Sequence, residues 1–263
     1  MKMTKTYKFN HFKVLFITAM CLLGNSLNAQ LVNIESKRMQ SDSIRFALKS
    51  DLLFDYTDNN GDYLFQLGSN VTTQLKSKDL KKIFFFIGNY KLIRSNDKDF
   101  QNNWFFHLRY NQKLSSLFRI EAFIQNQNNT KLTIVSRNLV GAGIRLKLVS
   151  SELTRVYVGN AYMYEVEKLA ESGVHFYNHR NSCYLSATHS FNKTSLLLTE
   201  TIYFQPLYND IGNHRILLQM KAELPLTEII SLSALYNFSY NSFPAVNDID
   251  RSSNLSLGFT FTI

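Results

Sequence analysis

The sequence predicts an all-β protein, an antiparallel transmembrane β-barrel of twelve strands. Three observations carry this reading. Runs of about nine to twelve residues alternate apolar and polar side chains, the length of a tilted strand crossing a bilayer. On most strands the polar set is strongly polar or charged, whereas the apolar set is nearly free of charge. The chain also begins with a stretch laid out as a secretory leader, and beyond it there is no run of the ~20 apolar residues that a membrane helix needs.

The leader spans residues 1–29. Lys2, Lys5, Lys8 and Lys13 are its basic region and Val14 to Leu23 its apolar core, and Ala29 offers a small residue before Gln30. Cys21 lies inside that core behind Met20, where a lipoprotein would need a small residue, so it reads as leader packing. The formal charge of +9 drops to +5 without the leader's four lysines. Much of the basicity is therefore targeting, and no basic patch or motif calls for nucleic acid. Cys183 is the only cysteine left, so no internal disulfide forms, and no Cys/His spacing suits zinc. No cofactor and no metal are expected.

Residues 30–43 are polar and without period, a short periplasmic extension. The barrel is expected over 44–263. Ile44, Phe46, Leu48, Leu52 and Phe54 alternate with Arg45, Lys49, Asp51 and Asp55. Asn59-Asn60-Gly61 is a hairpin signal, because Asn and Gly accept positive φ. Tyr63, Phe65, Leu67, Val71 and Leu75 then oppose Gln66, Gly68, Asn70 and Gln74. The third strand, Ile83 to Arg94, starts apolar on both faces. In the fourth, Trp104, Phe106, Leu108 and Tyr110 face away from His107, Arg109 and Asn111. Phe118, Ile120, Ala122 and Ile124 oppose Arg119, Glu121 and Gln125. Val140, Ala142, Ile144, Leu146 and Leu148 alternate with Gly141, Gly143, Arg145 and Lys147. Val156, Val158, Tyr162, Tyr164 and Val166 oppose Arg155, Gly159, Glu165 and Glu167. His175 to Phe191 and Thr194 to Gln205 form the next hairpin. Ile216, Leu218 and Met220 alternate with Arg215, Gln219, Lys221 and Glu223. The eleventh strand sets Ile230, Leu232, Ala234, Tyr236, Phe238 and Tyr240 against Ser231, Ser233, Asn237 and Ser239. In the twelfth, Leu255, Leu257, Phe259, Phe261 and Ile263 share one greasy face, as suits a strand that closes a barrel.

Connections near 76–82, 114–117, 149–153, 191–194 and 224–227 read as short. Those near 95–100, 126–131, 168–173, 206–213 and 242–250 read as longer, with the turn at 57–61 an exception. Outer-membrane barrels have short periplasmic turns, longer outer loops and an even strand number. Alternation alone cannot say which face is inside, so a soluble periplasmic β protein is the rival fold. The leader, the strand length and the strand count favour the cell outer membrane, with the lipid bilayer and the barrel-assembly machinery as partners.

The segments Asn103 to Asn111, Arg119 to Gln125 and Arg137 to Arg145 resemble the salt-induced outer-membrane proteins, a β-barrel group classed as a domain of unknown function. The resemblance runs over roughly 44–263 and is sharpest in this central third. It implies an outer-membrane barrel and supplies no catalytic residues. Phe259, Phe261 and Ile263 are expected to form the assembly signal. The terminal Ile263 departs from the aromatic residue with which such barrels usually end.

The candidate site is a charged lumen. Arg109, Arg119, Glu121, Arg137, Arg145, Glu165, Glu200 and Arg215 are its expected charges, joined by Lys147, Arg155, Glu167, Lys221 and Glu223. Arg109 and Glu121 should meet across a hairpin. Such a lining either selects solutes by sign or is an ion-pair network that fills a narrow barrel. Gly141 and Gly143 either make room for a solute or let a neighbour approach closely, and the second reading is preferred. A lipid-modifying hydrolase needs a nucleophile with its base. His189-Ser190 and His175 with Glu171 are the only suggestive neighbours, and no nucleophile motif supports them. His107, His175, His179, His189 and His214 are expected at exposed strand ends. Trp104, Tyr63, Tyr162, Tyr164, Tyr236 and Tyr240 are expected as interface aromatics.

Overall fold

The computed structural model describes residues 45–59, 62–95, 98–129, 134–170, 173–192, 194–243 and 250–262. The leader and extension, 1–43, lie outside the described residues. Twelve strands follow in chain order: β1 Phe46–Asn59, β2 Asp62–Lys76, β3 Lys82–Ser95, β4 Lys98–Lys113, β5 Phe118–Asn129 and β6 Ile134–Ser150, then β7 Thr154–Leu169, β8 His175–Phe191, β9 Leu196–Pro206, β10 His214–Pro225, β11 Ile230–Asn241 and β12 Arg251–Thr262. Each pairs antiparallel with its sequence neighbour, and β12 returns to β1 to close the barrel. Closure leaves no open sheet edge. The closing pairs are Lys49 with Thr262, Ser50 with Phe261 and Asp51 with Thr260. Across this seam Thr260 Oγ1 donates to Asp51 Oδ1 at 2.8 Å.

Register sets the width. With the registers extended across the loops, one circuit returns to β1 about 16 residues from its start, which for twelve strands gives a tilt of about 45° and a radius of about 12 Å. Long side chains from opposite walls span much of such a lumen.

The polarity is inverted relative to a soluble fold. Among the described residues, 29 buried ones are polar or charged and 12 are hydrophobic. The apolar set faces outward: Leu52 is 62% exposed, Ile124 56% and Leu257 69%. Water would penalise that surface, whereas lipid accepts it. This is what separates the two folds that alternation left open. A soluble barrel buries its apolar face.

One expectation is corrected. The connection near 95–100 is not long, since Ser95 pairs with Lys98 and Arg94 with Asp99 past a register shift. The polar residues expected in a loop are instead ladder residues that extend the hairpin. At the end of the barrel that carries the chain termini the connections are 77–81, 114–117, 151–153, 192–195 and 226–229. At the distal end they grow from 60–61 and 96–97 to 242–250. The third strand's two apolar faces have separate roles. Phe84 and Phe86 point outward, while Phe85 and Ile87 are buried inward against Phe105.

Candidate functional site

Strand alternation delivers the site. On β4, Phe106 and Leu108 are exposed outward, so Asn103, Phe105, His107, Arg109 and Asn111 are buried inward. The same parity aims Glu121 inward from β5, Arg137 and Arg145 from β6, and Glu165 and Glu167 from β7. Arg180 enters from β8 and Arg215 and Lys221 from β10. The register then sorts these charges into separate clusters.

The distal cluster holds Arg137, Glu165, Glu167, Arg180 and Arg215. Glu165 is the hub. It takes Arg215 Nη1 at 2.8 Å, Arg137 Nε at 3.4 Å and Arg180 Nε at 3.5 Å. Asn178 Nδ2 also donates to it, at 3.2 Å. Glu167 Oε2 takes Arg137 Nη2 at 2.5 Å and Arg215 Nη2 at 3.2 Å. Arg180 is further tied to the distal loop, donating from Nη2 to Asn213 Oδ1 at 3.1 Å.

The second cluster lies toward the terminal end. Arg109 Nη1 is 3.1 Å from Glu121 Oε2, and Arg145 Nη1 is 3.7 Å from Glu121 Oε1. Tyr184 OH donates to Glu121 Oε2 at 3.1 Å. The Arg145 guanidinium lies 3.8 Å from the Tyr157 ring centroid, and Arg119 stands 5.8 Å from the same ring. Cation–π contact of this kind adds to what holds a guanidinium in place. On the opposite wall Lys49 Nζ and Lys221 Nζ share Glu223 Oε1 at 3.0 and 2.9 Å.

Between the distal and terminal clusters lies a small cavity of about 40 Å³. Arg109, Arg137, Glu165 and Arg215 are its charged lining, and Gln125, Ser182 and Gln205 its neutral polar lining. Phe123, Leu139, Met163, Tyr203 and Leu217 form its apolar wall. His107 belongs to the same interior. It is buried between Phe105 and Phe123, at 6.1 and 5.6 Å between ring centroids, and Arg109 Nε donates to its Nε2 at 3.3 Å. The expectation of an exposed strand-end histidine is therefore corrected for His107, whose mid-strand parity turns it inward.

Glu200 is corrected as well. Thr199, Thr201 and Tyr203 are the buried, inward residues of β9, so Glu200 shares the outward face with the exposed Ile202 and Phe204. Its strand neighbours are Ala187 and Met220. Charge alone had assigned it to the lumen, but parity decides. Phe259 and Phe261 are 50% and 40% exposed on the outward face of β12, and Ile263 lies outside the described residues.

Sequence reasoning missed Arg180 and the inward aromatics Tyr184 and Tyr203. The available signal was the polar set Arg180, Ser182, Ser186 and Thr188 at alternate positions of β8. The outward face carries a polar and aromatic belt. Trp104 Nε1 donates to Asn126 Oδ1 at 3.0 Å, and the Tyr162 ring packs in tilted contact with His179 and Tyr208.

Room inside the wall is made by glycine. A Cβ on Gly141 would overlap the Phe123 ring, and one on Gly143 would meet the backbone oxygen of Asn160. Close approach, rather than space for a solute, accounts for both. His189 and Ser190 are adjacent on one strand and so point to opposite faces, and His189 Nδ1 is engaged with Thr154 Oγ1 at 2.8 Å. They form no dyad. Glu171 lies outside the described residues, and those residues hold no group of three metal-ligating side chains.

These features define a closed, twelve-stranded β-barrel with a charged lumen and an apolar outer wall. The chain belongs to the family described as protein of unknown function DUF481, whose model matches residues 28–261. Among solved structures it is similar to the NanC porin, at 10% identity and a TM-score of 0.45 over 83% of this chain and 98% of that one. It is similar to the KdgM porin in complex with disordered oligogalacturonate at 9% identity and 0.43, over 82% and 98%. It is similar to the translocator domain of autotransporter NalP from Neisseria meningitidis at 11% identity and 0.43, over 86% and 91%. No curated protein matches the chain.

Proposed function

We propose that this protein is a non-enzymatic barrel of the cell outer membrane that offers a narrow passive passage to small solutes. The inverted polarity carries the reading. An apolar outer wall around a charged, hydrated interior is stable in lipid and unstable in water. On this reading residues 1–29 are a cleaved leader and 30–43 a periplasmic extension. The barrel-assembly machinery reads Phe259, Phe261 and Ile263. The test is to refold residues 30–263 in detergent, verify folding by heat-modifiable gel mobility, and record conductance in a planar bilayer. Discrete, salt-dependent steps support the passage; recovery of the mature chain in the soluble periplasmic fraction would sink the barrel reading altogether.

A second reading has its own observation. The lumen's carboxylates are ion-paired from several sides, as in a network that fills a barrel. A structural or stress-related envelope role, as the resemblance to salt-induced proteins implies, would then replace transport. Silence in the bilayer from heat-modifiable protein, with expression that rises in salt, would favour it.

A further inference from the structure

We infer that the outward face of β7 and β8, with the segment after β9, docks a phosphorylated glycolipid of the outer leaflet. An aromatic belt is common to membrane barrels. This sector differs in stacking three chemistries along one ladder, in the order that such a lipid carries them. From the barrel's middle to its distal rim, the outward pairs of β7 and β8 include, in order, Val158 with Leu185, Tyr162 with Asn181, Tyr164 with His179 and Lys168 with His175. The first pair is apolar and suits acyl chains, and Ile202 on β9 extends it beside Leu185. The middle pairs are aromatic and hydrogen-bonding, as a sugar headgroup requires. The last pair is basic.

The middle tier is tied together by its own contacts. Tyr162 OH and His179 Nδ1 are hydrogen-bonded at 2.5 Å, and the Tyr164 and His179 rings lie 5.1 Å apart. The Tyr208 backbone N–H donates to His179 O at 3.0 Å, which sets the Tyr208 ring 5.8 Å from that of Tyr162. Asn181 Nδ2 donates to Asn160 Oδ1 at 3.3 Å and to Tyr208 OH at 3.4 Å. Tyr162, His179 and Tyr208 all remain exposed. Open rings pack against the C–H faces of a sugar, while their hydroxyls, the imidazole and the amide meet its hydroxyls. Acyl chains offer these polar groups no hydrogen bond, whereas sugar hydroxyls do. At the rim the Lys168 ammonium matches a phosphate. The short turns lie at the terminal end, so the distal end meets the outer leaflet. The inference rests on the outer-membrane reading.

The experiment is native mass spectrometry of the folded, heat-modifiable barrel in detergent. The probes are lipid A (an acylated glucosamine disaccharide bearing phosphates), its dephosphorylated form and phosphatidylglycerol, each at equal concentration. Lipid A should be retained about five-fold more than either of the others. His179→Ala and Tyr208→Ala should each lower its retention about five-fold, and Lys168→Gln should remove the preference over the dephosphorylated form. Tyr90→Ala, which removes an outward aromatic on β3, should change nothing. Equal retention of the three lipids, or lipid A retention unmoved by His179→Ala and Tyr208→Ala, overturns the site. A barrel recovered in the outer-membrane fraction yet indifferent to lipid A sinks this site alone, whereas recovery in the soluble periplasmic fraction sinks the outer-membrane reading with it.

Discussion

Replacing Glu165 by Gln is the sharpest perturbation of this lumen. The side chain is about 1% exposed, is ion-paired with Arg215, Arg137 and Arg180, and accepts from Arg215 Nη1 and Asn178 Nδ2. The substitution is nearly isosteric, so packing survives while the charge goes. Three guanidiniums would then share one remaining carboxylate, Glu167. Neutralising one partner of a buried ion pair costs about 3–5 kcal/mol. Gln keeps a carbonyl acceptor, which places the expected loss near the low end, about 3 kcal/mol. The assay is reversible urea unfolding of the refolded barrel in lipid vesicles, followed by heat-modifiable mobility. Glu200→Gln is the control, the same chemical change on the outward face, and should cause no loss. A loss under about 1 kcal/mol for Glu165→Gln, or an equal loss in the control, would refute the hub role drawn for Glu165.

Other consequences follow from the same geometry. Glu200→Leu should stabilise the barrel by about 1–2 kcal/mol in vesicles, because it removes a carboxylate from an apolar, lipid-facing surface; urea midpoints compare the two proteins. Arg109→Ala and Glu121→Ala should move ion selectivity in opposite directions, the first away from anions and the second toward them, as read from reversal potentials in a salt gradient. Gly143→Ala should cost about 1–3 kcal/mol, since the added methyl meets the Asn160 backbone and β6 and β7 must part, which unfolding midpoints would register. In the turn 77–81, the Ser77 hydroxyl and then the Lys81 backbone N–H hold the Asp79 carboxyl below its usual value of 3.8. Its folded value is thus the lower one. The turn's added stability is complete above the usual carboxylate value and is lost as pH falls through the depressed one. Exchange protection of the Lys81 amide should drop over that acid range, and Asp79→Asn should abolish the pH dependence.

Most of the wall was legible because strand period is a simple signal. Leu108 against Arg109, or Ile120 against Glu121, states a face without any knowledge of neighbours. What alternation could not say was which face is inside, and the exposure of Leu257 against the burial of Thr260 settles that. Glu200 was misassigned because its charge was weighed above its parity with Ile202 and Phe204. Arg180 was missed because β8 opens with Phe176 and Tyr177 on opposite faces and polar residues from Asn178 to Asn181 on both, so no single greasy side marks the register. The inward apolar pads, Phe123, Met163 and Leu217, were missed for the opposite reason. They interrupt polar sets, and only a three-dimensional lumen explains apolar residues there. The partition of charges into distal and terminal clusters depends on stagger between strands. Stagger accumulates around the barrel and is invisible in any one segment.

The reversal potential of single channels under a potassium chloride gradient tests the central claim most directly. A lumen with more buried guanidiniums than carboxylates should conduct in discrete steps and favour chloride over potassium, with the preference fading at high salt. Heat-modifiable protein that conducts with preference for potassium, or that never conducts, would contradict the account.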